Sequence, residues 1–153
     1  MAKLPDDVIK FFHSQHFTIV STVDPDGMPH ISCKGIVQID PDGTIYLLDL
    51  YTGKTRANLE RNPAINLSAV DEHRFKGYSL KGTAKIIKEE ELKSHIIKAW
   101  EEKLTARITH RLIKNLKGEP GHENHPEAQL PKPKYLIVMT VSDIVDLTPP
   151  PLR

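Results

Sequence analysis

A chain of 153 residues, 39% hydrophobic and 27% charged, can bury one real core but not two ordinary ones. Its formal net charge of +1 argues against nucleic acid as the main partner, and a single cysteine, Cys33, excludes an internal disulfide and fits a reducing compartment. No apolar run approaches the roughly 20 residues of a spanning helix, and the N-terminus has no apolar signal core, so the chain reads as a single cytoplasmic domain over 1–153 with no membrane partner.

Pro5-Asp6-Asp7 opens a short helix, because proline suits the first turn and acids suit its positive end. Its apolar positions Val8, Ile9, Phe11 and Phe12 fall on one side. Phe17 to Val23, rich in β-branched residues, predicts a strand turned by Asp24-Pro25-Asp26-Gly27. Met28 to Ile39 predicts a second strand, followed by nearly the same turn, Asp40-Pro41-Asp42-Gly43, and Thr44 to Leu50 a third. Together they read as an antiparallel meander.

Beyond Tyr51-Thr52-Gly53, a short helix is expected from about Lys54 to Arg61, stopped by Asn62-Pro63. Ala64 to Val70 and Gly77 to Ile87 predict two further strands joined by a charged link. Apolar residues at Leu92, Ile96, Trp100, Leu104, Ile108, Leu112 and Leu116 predict a helical insert at about 89–117. Strict fourfold spacing drifts about 40° per step around a helix, so the insert should bend or break within Thr105 to Thr109. Lys117 to Lys134 reads as loop, Tyr135 to Val141 as the last strand, and Ile144 to Leu147 as its continuation after a bulge. The fold class is therefore mostly β, a six-stranded antiparallel barrel with helices packed outside.

The segment Tyr51 to Pro63 carries the most chemistry. A strand end feeds a glycine-containing turn and then a helix start bearing hydroxyls and two cations. The unpaired N–H groups and partial positive charge of a helix start favour a phosphate. Lys54 adds a compact charge, and Thr52 and Thr55 add hydroxyl donors. The same residues also fit a plain helix cap beside a solvated lysine. Gly53-Lys54-Thr55 looks like the end of a nucleotide P-loop, but that pattern needs a glycine where Leu48 stands. The early stop at Pro63 and the flanking antiparallel strands exclude it as well.

Phe17 to Asp24, Gly27, Pro29-His30, then Asp42-Gly43-Thr44-Ile45-Tyr46, Lys54, Asn58-Leu59 and Asn62-Pro63 occur in an order and spacing that resemble the pyridoxamine 5′-phosphate oxidase-like family. Gly53 to Leu59 is similar to the phosphate-binding turn of small bacterial FMN-binding proteins of that fold, and Lys76 to Ala84 to their later glycine-containing strand. The resemblance implies an FMN-binding split barrel, a homodimer with flavin in grooves between subunits. It places the phosphate on Lys54 and Thr55, helped by Thr52. Ser32, Cys33 and Lys34 would lie on the strand lining the flavin, and Leu48, Asp49 and Leu50 alongside the ring. Gly77 and Tyr78 match positions that approach the cofactor.

The implied function is an FMN-dependent oxidoreductase exchanging electrons with a small-molecule donor or acceptor. The alternatives are a non-catalytic flavin or electron carrier and a relative binding haem or a deazaflavin. The family's namesake reaction fits poorly: Ser32 and Thr55 stand where the oxidase carries cations, and Thr148 to Arg153 lacks its arginine- and tryptophan-bearing segment. No catalytic side chain is assigned. Cys33 reads more readily as a small hydrophobe than a redox group. His122 and His125 with Glu119, Glu123 and Glu127 lie in a loop without a regular element to fix ligands, so no metal is expected. Lys103, Arg107, His110, Arg111, Lys114 and Lys117 read as a solvated helix face.

Overall fold

The computed structural model describes residues 2–49, 53–88 and 135–153, with isolated positions between 91 and 102. Helix α1 spans Asp6–His13 and buries Val8, Phe11 and Phe12, the i, i+3, i+4 stripe of its sequence. Phe11 meets both Phe12 and Tyr78 edge-on, with ring centroids 5.6 and 5.2 Å apart.

The strands are β1 (Thr18–Val23), β2 (Pro29–Lys34), β3 (Ile36–Ile39), β4 (Thr44–Leu48), β5 (Ala64–Asp71), β6 (Lys76–Lys88) and β7 (Tyr135–Asp146), with helix α2 (Lys54–Arg61) between β4 and β5. They form one antiparallel sheet in the order β2-β1-β5-β6-β7-β4-β3. The expected strand Met28–Ile39 is thus two strands, and the count is seven rather than six. β2 pairs with β1, β3 pairs with β4, and only Gly35 separates them.

Outermost strands one residue apart in sequence force the sheet to curl until its edges approach. The Leu48 N–H donates to the Gly35 carbonyl at 2.9 Å, which carries the β3–β4 register up to the residue that joins the two edges. This is the curled antiparallel architecture of a split barrel, and it corrects the simple meander. Ile31, Ile36, Val37 and Ile39 have the same strand character before and after Gly35, so the change of partner leaves no mark in the pattern.

The two Asp-Pro-Asp-Gly turns close alike. The N–H groups of Gly27 and Gly43 donate to the carbonyls of Asp24 and Asp40 at 2.9 and 3.0 Å, and both glycines take positive φ, 87° and 98°. β7 is continuous through the expected bulge: Lys81 faces Asp143 and Gly82 faces Val141, leaving Ser142 unpaired.

Val20, Ile45, Leu47, Leu67, Leu80, Ile137 and Met139 fill the main core. A smaller cluster of Val37, Leu48 and Leu136 receives Tyr46 and Ala99. Most of the expected 89–117 insert, its break at Thr105 to Thr109, the histidine-bearing loop and the cationic helix face lie outside the described residues. The outer face of β1, β2 and β5 exposes the apolar side chains of Ile19, Ile31 and Val70 at 41%, 63% and 62%, interspersed with Ser21, Asn66 and Ser68. Among the described residues no helix is long and apolar enough to cross a membrane.

Candidate functional site

Helix α2 has the bounds its sequence predicts. It starts after Gly53, which is extended at φ −117° and ψ −156°, and it ends at the extended Asn62, since the residue before Pro63 disfavours helix. Its N-terminus differs from an ordinary one in two ways. Gly53 supplies no side-chain cap, and the first turn contains no acid. The exposed Lys54 sits there instead, at the positive end of the helix dipole. A cation in that place is locally unfavourable, and a bound anion would relieve it.

The underside of α2 is held by polar bonds. Thr55 is buried, and its hydroxyl shares a hydrogen bond with the Ser32 hydroxyl of β2 at 2.8 Å. Whichever oxygen donates, the other hydroxyl keeps its own proton for a further acceptor. The buried Asn58 amide donates to the Thr22 hydroxyl at 3.1 Å and to the Asp24 carboxylate at 2.9 Å. Arg61 donates to the Val23 carbonyl. Arg56 lies over the Tyr135 ring of β7, 3.9 Å from its centroid, and pairs with Glu60 at 3.2 Å. α2 therefore touches β1 and β2 on one side and β6 and β7 on the other, with β5 between them in the order, and so spans the curl of the sheet.

The Asn58 amide holds the Asp24 carboxyl below the usual carboxylate range against the opposing effect of desolvation, and the lesser effects of the Lys54, His30 and Arg61 charges act the same way as Asn58. Three basic side chains thus surround one carboxylate at this end of α2.

The other expected site residues divide. Side chains alternate along β2, so Ser32 and Lys34 face inward while Cys33 is exposed on the outer face opposite Ile19. Lys34 is not free. Its ammonium donates to Asp49 Oδ1 at 3.1 Å, with side chains only 9% and 2% exposed. Leaving one member of such a pair alone costs about 3–5 kcal/mol. Leu48 lies in the smaller apolar cluster. Leu50 and Thr52 lie outside the described residues.

Tyr78 is buried against α1, and its hydroxyl donates to Asp7 Oδ2 at 3.3 Å. Burial first, then the charges of Asp7 and Asp146, push its phenol up. A Cβ on Gly77 would stand 3.0 Å from the Ala69 carbonyl, so close packing within the sheet already accounts for that glycine.

The structure brings together Ser32 with Thr55 and Lys34 with Asp49, and adds Asn58, Thr22 and Asp24 as supports of α2. An asparagine four residues into a short helix was the available signal: it forms helix poorly, and here it is kept for its amide.

The family model described as pyridoxamine 5′-phosphate oxidase matches residues 4–146. HupZ of Group A Streptococcus is 24% identical, with a TM-score of 0.68 over 95% of this chain and 94% of that chain. An F420 reductase is 14% identical, with a TM-score of 0.57 over 93% and 98% of the two chains. HutZ, the heme storage protein from Vibrio cholerae, is 18% identical, with a TM-score of 0.54 over 94% of each chain. These identities establish likeness of fold. No curated protein matches the chain.

Proposed function

The chain belongs to the pyridoxamine 5′-phosphate oxidase family, and from that premise we propose that it is an FMN-binding flavoprotein that seats the flavin phosphate at the start of α2. The observation that carries the reading is this helix start, uncapped by a side chain and free of acids, with Lys54 in its first turn and the Ser32–Thr55 hydroxyl pair beneath it. The donor set fits a phosphate group: one ammonium, the one hydroxyl proton that the Ser32–Thr55 pair leaves free and the first-turn N–H groups, none of which is a favoured ligand of haem iron. Phosphate chemistry thus favours FMN over haem. A deazaflavin cofactor is the second reading, supported by the likeness to an F420 reductase.

Bound FMN would supply the electron transfer, with a small molecule as donor or acceptor. The chain's own share would be anchoring. Lys54 would neutralise phosphate charge, the free hydroxyl proton of the Ser32–Thr55 pair would reach one of its oxygens, and the Asn58 bonds to β1 and the following turn keep α2 from shifting. Ser32 and Thr55 occupy the positions at which the namesake oxidase carries cations, and here they satisfy one another as a neutral pair. The assignment is therefore to flavin-dependent electron transfer other than the namesake reaction. The uncovered apolar residues Ile19, Ile31 and Val70 support a homodimer formed through the outer face of β1, β2 and β5.

The test is the absorption spectrum of the purified protein after addition of FMN, a deazaflavin or haem, combined with sedimentation equilibrium. A stoichiometric flavin spectrum on a dimer is expected. Preferential loading with haem or deazaflavin rejects FMN, and a monomer that binds FMN tightly rejects the shared interface. Turnover with a panel of electron donors and acceptors then separates an oxidoreductase from a carrier.

A further inference from the structure

We propose that Lys34 and Asp49 are positioning residues that hold the phosphate segment onto β2, and that neither contacts the cofactor. The proposal rests on the phosphate site at α2. Two inward side chains of one strand, Ser32 and Lys34, stand about 7 Å apart along β2. Lys34 grips Asp49 at 3.1 Å, and Ser32 grips Thr55 at 2.8 Å. These bonds bracket the stretch from Asp49 to Thr55, which contains Lys54. Both its ends are therefore referred to a single rigid strand. β2 is itself fixed at this place, because the Thr18 hydroxyl donates to the Lys34 carbonyl at 2.8 Å.

The pair also continues the β3–β4 register through Gly35: Ile36 faces Leu47, the Leu48 N–H reaches the Gly35 carbonyl, and Lys34 comes next opposite Asp49. The ion pair thus ties the last residue of β2 to the residue that follows β4. Its burial leaves Lys34 no solvated alternative, so the ammonium is committed to Asp49. An ammonium so committed differs from the exposed Lys54, which is available to an incoming anion.

The two roles predict opposite signs for one substitution. If Lys34 bound the phosphate directly, Asp49→Asn would free its charge and leave FMN binding unchanged or tighter. As a positioning pair, Asp49→Asn should weaken FMN by about tenfold or more and leave riboflavin within about twofold, because only the phosphate end is displaced. Amide hydrogen exchange of the ligand-free variant at Ala57, whose N–H donates to the Gly53 carbonyl at 3.2 Å, should quicken about tenfold relative to β6.

The double variant Lys34→Met/Asp49→Leu carries no unpaired buried charge and covers the case in which Asp49→Asn does not fold. It should fold and still show the selective FMN loss. Wild-type FMN affinity or wild-type exchange in both variants overturns the positioning role. Wild-type protein that binds FMN no better than riboflavin instead overturns the phosphate site, and the exchange measurement still decides the role of the pair.

Discussion

The two helices α1 and α2 are each eight residues long, yet their first turns are opposites. α1 places Asp6 and Asp7 at its positive end and docks through Val8, Phe11 and Phe12. α2 has no acid there, carries Lys54, and docks through Thr55 and Asn58 alongside Leu59. A helix that only supports the fold settles its own dipole and is held by non-directional burial. A helix that serves a ligand leaves its positive end open and is held by directional bonds, which fix position to the precision an anion requires.

The largest expected effect falls on α1. Phe12 is 1% exposed, so Phe12→Ala should cost about 3–5 kcal/mol in urea unfolding and leave the FMN affinity of the folded protein unchanged. A tenfold loss of affinity would break the division of labour between the helices.

Asn58→Ala comes next, at about 1–3 kcal/mol, because it strands the polar partners of a buried amide. It should also weaken FMN. Asp24 adds a pH dependence with a definite sign. Its folded pKa is lowered, so its contribution is present above the ordinary carboxylate value and disappears as pH falls through the lower folded value. Asn58→Ala should therefore lose less stability than the parent on acidification below about pH 4. A parallel acid limb in the two proteins would remove the Asn58–Asp24 bond from the account.

The smallest effect sharpens the comparison most. Gly53 has an ordinary extended φ, and an added Cβ there meets nothing within 4 Å. Gly53→Asp would give α2 the acidic N-terminus that α1 has. Ligand-free protein should gain a few tenths to about 1 kcal/mol while losing FMN affinity about tenfold or more. A variant that is stabilised and still binds FMN normally would show that this helix end is not the phosphate site.

The local parts of this site are written in local sequence. Gly53 and Asn62-Pro63 bound α2, and the repeated Asp-Pro-Asp-Gly motif marks both turns. The pairings that complete the site are not legible there. Ser32 meets Thr55 because α2 packs against β2, and Lys34 meets Asp49 because the chain runs on from β2 through Gly35 to pair with β4; neither is written in local sequence. The sheet order divides the stretch from Met28 to Ile39 at Gly35 without changing its strand-like composition. Lys34 shows the consequence: from sequence it is a cation on a flavin-lining strand, and in the fold it is one half of a buried pair. The place of Lys54 in the first turn of α2, and its exposure there, are by contrast local features.

The measurement that bears most directly on the central claim is a titration of wild type and Lys54→Ala with FMN and with riboflavin. A charge-assisted phosphate contact contributes about 1.5–3 kcal/mol, so Lys54→Ala should weaken FMN by about 10- to 150-fold and leave riboflavin unchanged. Equal affinity of wild type and Lys54→Ala for FMN would contradict a phosphate site at the start of α2.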